Sequence, residues 1–370
     1  MQVPFIDLAA QFAQDATLIR TAIERVGRSG QFILGPEVEQ FENALQNYLG
    51  SAHASRGGVV AVASGSDALY LALLAGGIGR GDAVALPGFT FVSALEAVVR
   101  VGATPVLVDA AATTFNVAPD AYIELVAGQS VRAVIATHLF GEPADLAPLR
   151  HACTEHGVVL IEDAAQAMGA WLSETPAGGW GDYGCFSFYP TKNLCGLGDG
   201  GAILARDPAK ATWLRQMRNH GRDGNAHVRF GINSRLDALH AAVLRARLPL
   251  LDAAIARRRA IAAHYRHDLR DLPIVLPTDD SGAHTFNQFV IVNDTRDALA
   301  LHLRKCGIET KIYYPQGCHA HPALPAGTIA SLPNVEHYAR TALALPLHPA
   351  LSDAQAMATS DAVRTFFAAG

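Results

Sequence analysis

The sequence predicts an α/β protein: a large domain with a mostly parallel, seven-stranded sheet between helices, followed by a smaller α+β domain. Two observations carry this. From about residue 57 to 205, short apolar runs alternate with amphipathic stretches, the rhythm of strand–helix crossover units. After Pro273 a strand–helix–strand pattern replaces it. The expected division is 1–245, an N-terminal segment plus the large domain, and 246–370, the small domain. The 370 residues are 50% hydrophobic and 17% charged. That is enough apolar chain for a sizeable core, and disorder is not expected.

Taken in order, two helices come first, about Gln11–Gly27 and Pro36–Leu49, expected to pack against the small domain. Val59–Ala63, Ala83–Leu86, Pro105–Val108, Ala133–Thr137 and Val158–Ile161 read as buried strands because each is a short, almost wholly apolar run. Asp67–Ala75, Ser93–Val101, Pro119–Val126 and Asp145–His156 read as the helices between them. Cys185–Phe188 and Ala202–Ala205 complete the seven strands. A long helical region is expected from about Leu236 to Asp268, with Arg257, Arg258 and Arg259 on a solvated face. In the small domain, Phe286–Val292 reads as a strand, Thr295–Cys306 as a helix and Glu309–Tyr313 as a strand.

The net charge of −5 gives no basic footprint for a nucleic acid. The five cysteines form no Cys-x-x-Cys pair and read as reduced thiols of a cytoplasmic protein. Neither a signal peptide nor an apolar run long enough to span a bilayer is visible, so no membrane partner is expected. His319 and His321 lack a third ligand at metal-site spacing, and no metal is expected.

Four places carry candidate chemistry. Ser64-Gly65-Ser66-Asp67 sits where a strand meets a helix. It reads as an ordinary N-cap or, through its free amides, as a phosphate seat. Phe91 follows the next strand and reads as a core aromatic or as a ring stacked on a flat cofactor. The apolar strand before Glu162 ends in Asp163, with Gln166 three residues on. A carboxylate there needs a cation: a metal, a salt bridge, or the protonated ring nitrogen of a pyridine cofactor. Lys192 lies between an apolar strand and Gly196-Leu197-Gly198-Asp199-Gly200-Gly201. It reads as a Schiff-base lysine or as an ion-pair partner of Asp163. Ser187 adds a phosphate donor. The glycine run leads into a strand rather than opening a helix, unlike a dinucleotide loop.

The order of these motifs resembles that of the pyridoxal 5′-phosphate (PLP)-dependent sugar-nucleotide aminotransferases of the DegT/StrS type. Gly65-Ser66-Asp67-Ala68-Leu69, Pro87-x-x-Thr90-Phe91, His138-Leu139-Phe140-Gly141, Glu162-Asp163-Ala164-Ala165-Gln166, Ser187 to Leu194 and Asn233-Ser234-Arg235-Leu236-Asp237 all occur in sequence. The likeness runs from Phe5 to at least Pro346. It implies the aspartate aminotransferase fold, PLP fold type I. It implies that Lys192 forms the Schiff base, Asp163 binds the pyridine nitrogen, Gln166 contacts the phenolic oxygen and Phe91 stacks on the ring. Gly65, Ser66, Asp67 and Ser187 would hold the phosphate. Asn233 would reach the phosphate of a neighbouring subunit, making a homodimer with shared active sites.

Leu197-Gly198-Asp199-Gly200-Gly201 resembles the members that act at C3 of a nucleotide-linked 3-keto sugar, with a dTDP-3-keto-6-deoxyhexose as the expected acceptor and L-glutamate as donor, leaving 2-oxoglutarate. His240 stands where glutamine is usual, and Tyr314 to His321 departs from the usual Tyr-Pro-x-Pro-Leu-His-x-Gln. Arg222, Tyr314 and His319 are the candidate sugar-nucleotide contacts. The alternatives are amination at C4, a UDP-3-keto sugar or a keto-inositol as acceptor, and a non-catalytic regulatory protein on the same fold.

Overall fold

The computed structural model describes residues 1–50, 57–279, 281–324 and 331–368. Its centre is a seven-stranded sheet of β1 (Gly58–Val62), β2 (Ala83–Pro87), β3 (Thr104–Val108), β4 (Ala133–Thr137), β5 (Val159–Asp163), β8 (Tyr183–Ser187) and β9 (Gly201–Ala205). The small pair β6 (Trp171–Leu172) and β7 (Thr175–Pro176) lies in the connection from β5 to β8. The sheet order is β1-β9-β8-β5-β4-β2-β3. Only β9 runs against its neighbours. The expected mostly parallel sheet is therefore present.

The strands read as unbroken apolar runs because both faces are covered. Along β1, Val60 and Val62 enter one core with helices Gly65–Ala75, Ser93–Arg100 and Pro208–Met217. Val59 and Ala61 enter another with Pro36–Tyr48 and Ala238–Arg247. A third cluster sets Val134 and Ala136 of β4 against Pro119–Ala127 and Ala147–His156.

The two N-terminal helices pack mainly on the large sheet and on Ala238–Arg247, and they meet the expected small domain at its start, where Tyr48 donates to Asp252 at 2.6 Å and Leu251 and Ile255 share a core with Val38, Phe41 and Leu45. Val38, Phe41 and Leu45 bury against β1, and Ala22 and Val26 against Ala238 and Ala242. The segment before them does meet the C-terminal region, through a bridge from Val3 to Ile308.

The helical region expected from Leu236 to Asp268 is present as two helices joined by a turn. Pro249 lacks an amide hydrogen, and the chain passes from Ala238–Arg247 through a 3-10 turn at Leu248–Leu250 into Leu251–Leu269. The solvated face expected for the three arginines is corrected. Arg257 donates to Leu351 O at 2.6 Å and pairs with Asp353 at 2.7 Å. Arg259 donates to His284 O at 3.0 Å. Arg258 is buried at 3% exposure and donates to Leu347 O at 3.2 Å. The three cations tie the long helix to the C-terminal segments.

Beyond it, β12 (Phe289–Val292) pairs antiparallel with β13 (Ala342–Leu345). Another small pair, β10 (Arg222–Asp223) and β11 (Ala226–His227), lies earlier in the chain. Helices Leu251–Leu269, Arg296–Lys305 and Asp353–Ala368 contribute to the core over β12 and β13. Glu309–Tyr313, expected as a strand, makes only single bridges such as Lys311 to Ala344, because Ala342–Leu345 takes the ladder beside β12. The strand expected at Phe286 begins at Phe289, since Phe286 sits at a left-handed φ of 47° with its ring stacked on His284.

Behind the sheet's carboxyl edge lies a buried pair. His138 Nε2 and Glu162 Oε2 are 2.8 Å apart, and both side chains are wholly buried. Ala144 N–H donates to His138 Nδ1 at 3.0 Å, so the ring proton sits on Nε2 and points at the carboxylate. Glu162 also accepts from Gly178 N at 2.8 Å and Gly181 N at 2.5 Å. We predict that His138→Leu, which strips one donor from this buried carboxylate, destabilises the fold by roughly 3 kcal/mol or more. Urea unfolding checks this, and a loss under 1 kcal/mol, about a single ordinary hydrogen bond, would contradict it.

Candidate active site

Parallel strands deliver their loops to one edge of a sheet, and ligands bind there. Asp163 ends β5, Thr137 ends β4, Ser187 ends β8, and Ser64 follows β1. They line one cavity of about 600 Å³ with Gly65, Ser66, Thr90, Phe91, Gln166, Lys192 and Tyr314. Of the residues expected from the sequence, the structure therefore gathers Gly65, Ser66, Phe91, Asp163, Gln166, Ser187, Lys192 and Tyr314.

At one end of the cavity, Ser64 caps helix Gly65–Ala75, its Oγ accepting from Asp67 N at 3.1 Å. Asp67's amide is thus engaged, while the amides of Gly65 and Ser66 remain in the first turn, where no intrahelical acceptor exists. Asp67's carboxylate goes to Arg100 at 3.2 Å, and Arg100 lies 3.9 Å over the Tyr70 ring. Gly65 is required by close approach: a Cβ there would lie 2.8 Å from Ser187 Cβ. Gly201 is required likewise, since its Cβ would lie 2.4 Å from the Ser64 backbone. The result is a cradle of small groups, amides and the Ser187 hydroxyl at a positive helix end, suited to a phosphate.

At the other end, Asp163 is buried at 5% exposure. Its Oδ1 accepts from Ala165 N at 3.1 Å, and Oδ2 meets no donor among the described residues. Burial pushes its pKa up, while the Ala165 amide and the charge of Lys192 oppose the shift. Lys192, held by a turn in which its amide donates to Tyr189 O at 2.9 Å, is pulled down to about 8 by burial against the opposing charge of Asp163. No salt bridge joins the two, so Lys192 is not the plain ion-pair partner that the sequence left open. A lysine so depressed is largely a free base in mildly alkaline solution and can add to an aldehyde.

Gln166 accepts from Phe140 N at 2.7 Å and donates to Tyr314 OH at 3.1 Å. Burial pushes the Tyr314 hydroxyl's pKa up. Phe91, 51% exposed, stands at the rim.

Other expected residues lie apart. Arg222 is exposed in the hairpin of β10 and β11, bonded to Gly224 O at 2.7 Å and Asn225 Oδ1 at 3.3 Å. Asn233 is exposed and bridged to Asn219. His319 approaches Glu336 at 3.8 Å and does not line the cavity. Among the described residues, no group of three or more metal-ligating side chains is gathered, and no helix is long and apolar enough to cross a membrane.

The sequence reading missed Thr137, Asn287 and Tyr313 in the cavity wall. Asn287 donates to Thr191 O at 3.3 Å and Asn193 Oδ1 at 3.2 Å, bracing the turn that carries Lys192. The polar run His284-Thr285-Phe286-Asn287-Gln288, set before an apolar strand, was the available signal.

The profile of the DegT/DnrJ/EryC1/StrS aminotransferase family matches residues 14–364. The chain belongs to this family. This aminotransferase is 42% identical over 368 residues to the dTDP-3-amino-3,4,6-trideoxy-alpha-D-glucose transaminase of Streptomyces venezuelae, covering 98% of the chain and 96% of the relative. It is 39% identical over 364 residues to the UDP-N-acetyl-3-dehydro-alpha-D-glucosamine 3-aminotransferase of Acidithiobacillus ferrooxidans, covering 98% and 97%. It is similar to the crystal structure of S. venezuelae DesV in complex with a ketimine intermediate, with a TM-score of 0.92 and 41% identity over 99% of this chain and 98% of that one. The aminotransferase is a PLP-dependent enzyme of fold type I. Its cavity fits that cofactor: a phosphate cradle at one end, and a buried carboxylate with a spare oxygen for a protonated ring nitrogen at the other.

We predict that the cofactor-free enzyme recombines with PLP faster as pH rises, with a midpoint near 8, because only the neutral Lys192 amine adds to the aldehyde. Absorbance-monitored recombination rates test this, and a midpoint near that of an unburied lysine, about 10.4, would contradict it.

Proposed function

We propose that this aminotransferase moves the amino group of L-glutamate to C3 of a nucleotide-linked 3-keto sugar, with a dTDP-linked 3-keto-6-deoxyhexose as acceptor. The observation that carries the reading is Lys192 and Asp163 unpaired in one cavity with Gln166. The Leu197-Gly198-Asp199-Gly200-Gly201 turn and the printed activity of the Streptomyces relative support the C3 position and the dTDP carrier. The Acidithiobacillus relative favours a second reading, a UDP-linked 3-keto sugar.

When bound, PLP supplies an aldehyde for the donor's amino group and a ring that draws off the electrons of the donor's Cα–H bond. Lys192 holds the cofactor between turnovers. Once released as a neutral amine, it takes the proton from the donor's Cα and returns it at C4′ of the cofactor, acting as base and then acid. Asp163 holds the ring nitrogen protonated, which also gives its own buried charge a partner. Gln166 donates toward the phenolic oxygen through the same Nε2 that meets Tyr314. Gly65, Ser66 and Ser187 hold the phosphate and Phe91 covers the ring. Asp67 acts at one remove, with its amide on the cap and its carboxylate on Arg100. Tyr314 meets the acceptor at the cavity wall. Arg222 and His319, outside the cavity of their own chain, are proposed for the nucleotide arm. Asn233 acts in the site of a second copy, so the working unit is a cytoplasmic homodimer with residues 1–245 and 246–370 as its domains.

Two experiments test this. A panel of dTDP-, UDP- and GDP-linked 3-keto and 4-keto sugars is offered with glutamate, with Lys192→Ala as control, and products are read by mass spectrometry and NMR. The expected result is a C3 amine from the wild type and none from Lys192→Ala. Amination only at C4, or turnover by Lys192→Ala, overturns the reading. In the second, Lys192→Ala and Asn233→Ala chains, each inactive alone, are mixed and allowed to exchange. Activity is expected to return, because each mixed dimer has one site with both native residues. No recovery despite exchange would place Asn233 in its own chain's site.

A further inference from the structure

Behind the segment that follows Lys192 lies a second cavity of about 140 Å³, walled in part by Gln11, Gln14, Asn193, Cys195, Arg247 and Arg258. Its wall carries two guanidinium groups, three side-chain amides and a single carboxylate. The one carboxylate, Asp15, is held through both oxygens by Arg247, at 2.6 Å to Nε and 3.3 Å to Nη2. Those two charges cancel.

Arg258 has no such partner. It is 3% exposed and forms no salt bridge with any described residue. Its Nη1 donates to the carbonyls of Leu347 at 3.2 Å and Phe286 at 3.5 Å, and its Nε meets no acceptor among the described residues. Gln11 Nε2, also buried, meets none either. A buried guanidinium with unmet donors is costly unless an anion completes it. Burial already pulls its pKa down to about 10.

We propose that the cavity walled by Gln11, Asn193 and Arg258 binds a single small monovalent anion, a halide or a carboxylate of formate size. The cavity is too small for a nucleotide, and a guanidinium fork with an adjacent amide matches a planar carboxylate well. The site adjoins the catalytic cavity through two contacts. Asn193 accepts from Asn287, which lines the catalytic cavity and also holds Thr191 O. Phe286, whose carbonyl meets Arg258, precedes Asn287 in the chain. An anion here braces both sides of the turn that carries Lys192.

The test uses the PLP-loaded enzyme in a buffer free of small anions. Formate and bromide are titrated separately while the unfolding temperature is followed, and crystals are soaked in bromide to locate it by anomalous scattering. We expect a saturable rise of roughly 2 °C with at least one ion and a bromide peak beside Arg258. The larger response to formate or bromide distinguishes a carboxylate site from a halide site. Arg258→Met should abolish the rise. Should that variant fail to fold, Gln11→Leu decides: it should raise the half-saturating concentration about tenfold, the equivalent of one good hydrogen bond. No saturable rise with either ion, an unchanged response in Gln11→Leu, or bromide bound only elsewhere overturns the proposal.

Discussion

A carboxylate held out of water at the end of a parallel strand governs the design of this molecule. Among the described residues Asp163 has one backbone donor and no counter-ion at salt-bridge distance, so burial works against its charge. Keeping it there requires a rigid surround. Glu162, the preceding residue, points to the opposite face of the strand and is fully satisfied by His138, Gly178 and Gly181. One carboxylate locks the loops behind the sheet. The other is left unmet, where a cationic ring can satisfy it. Function is placed where folding has left a debt.

Most of the sheet, and the gathering of Asp163, Gln166, Ser187 and Lys192 at its edge, were legible from sequence because each depends on local pattern. Two-sided burial makes each strand an apolar run, and small residues mark where backbones touch, as at Gly65 and Gly201. Asp163 was conspicuous because it ends such a run. What could not be read were relations between distant segments. Nothing local says that Asn287 braces the lysine turn, or that Asp67 spends its charge on Arg100. Arg222, Asn233 and His319 belong to surfaces whose meaning depends on what faces them, and the fold of one chain leaves all three outside its own cavity.

The C-terminal region was read least well, for a physical reason. Ala342-Leu343-Ala344-Leu345 has the composition of a helix and becomes a strand because β12 offers it a ladder. Helices Pro333–Thr341 and Asp353–Ala368 went unread in the same stretch. The three arginines of the long helix looked like a solvated face, since side-chain charge usually seeks water. Here the acceptors are backbone carbonyls and one aspartate. The cations work as cross-ties at the margin of the apolar core that these segments share.

The single antiparallel strand has a mechanical consequence. Because β9 lies beside β8 and runs back along it, the Lys192 segment is an arch with both feet in adjacent strands, Ser187 paired to Gly201 at its base. Its amine is tethered over a short span, so the cavity presents it to a bound ligand at an effective concentration far above any lysine in solution. A slip of one residue in the β8–β9 register would turn the strand's faces over and carry the arch out of range. The reach of Lys192 into the cavity is therefore a property of strand pairing as much as of the lysine itself.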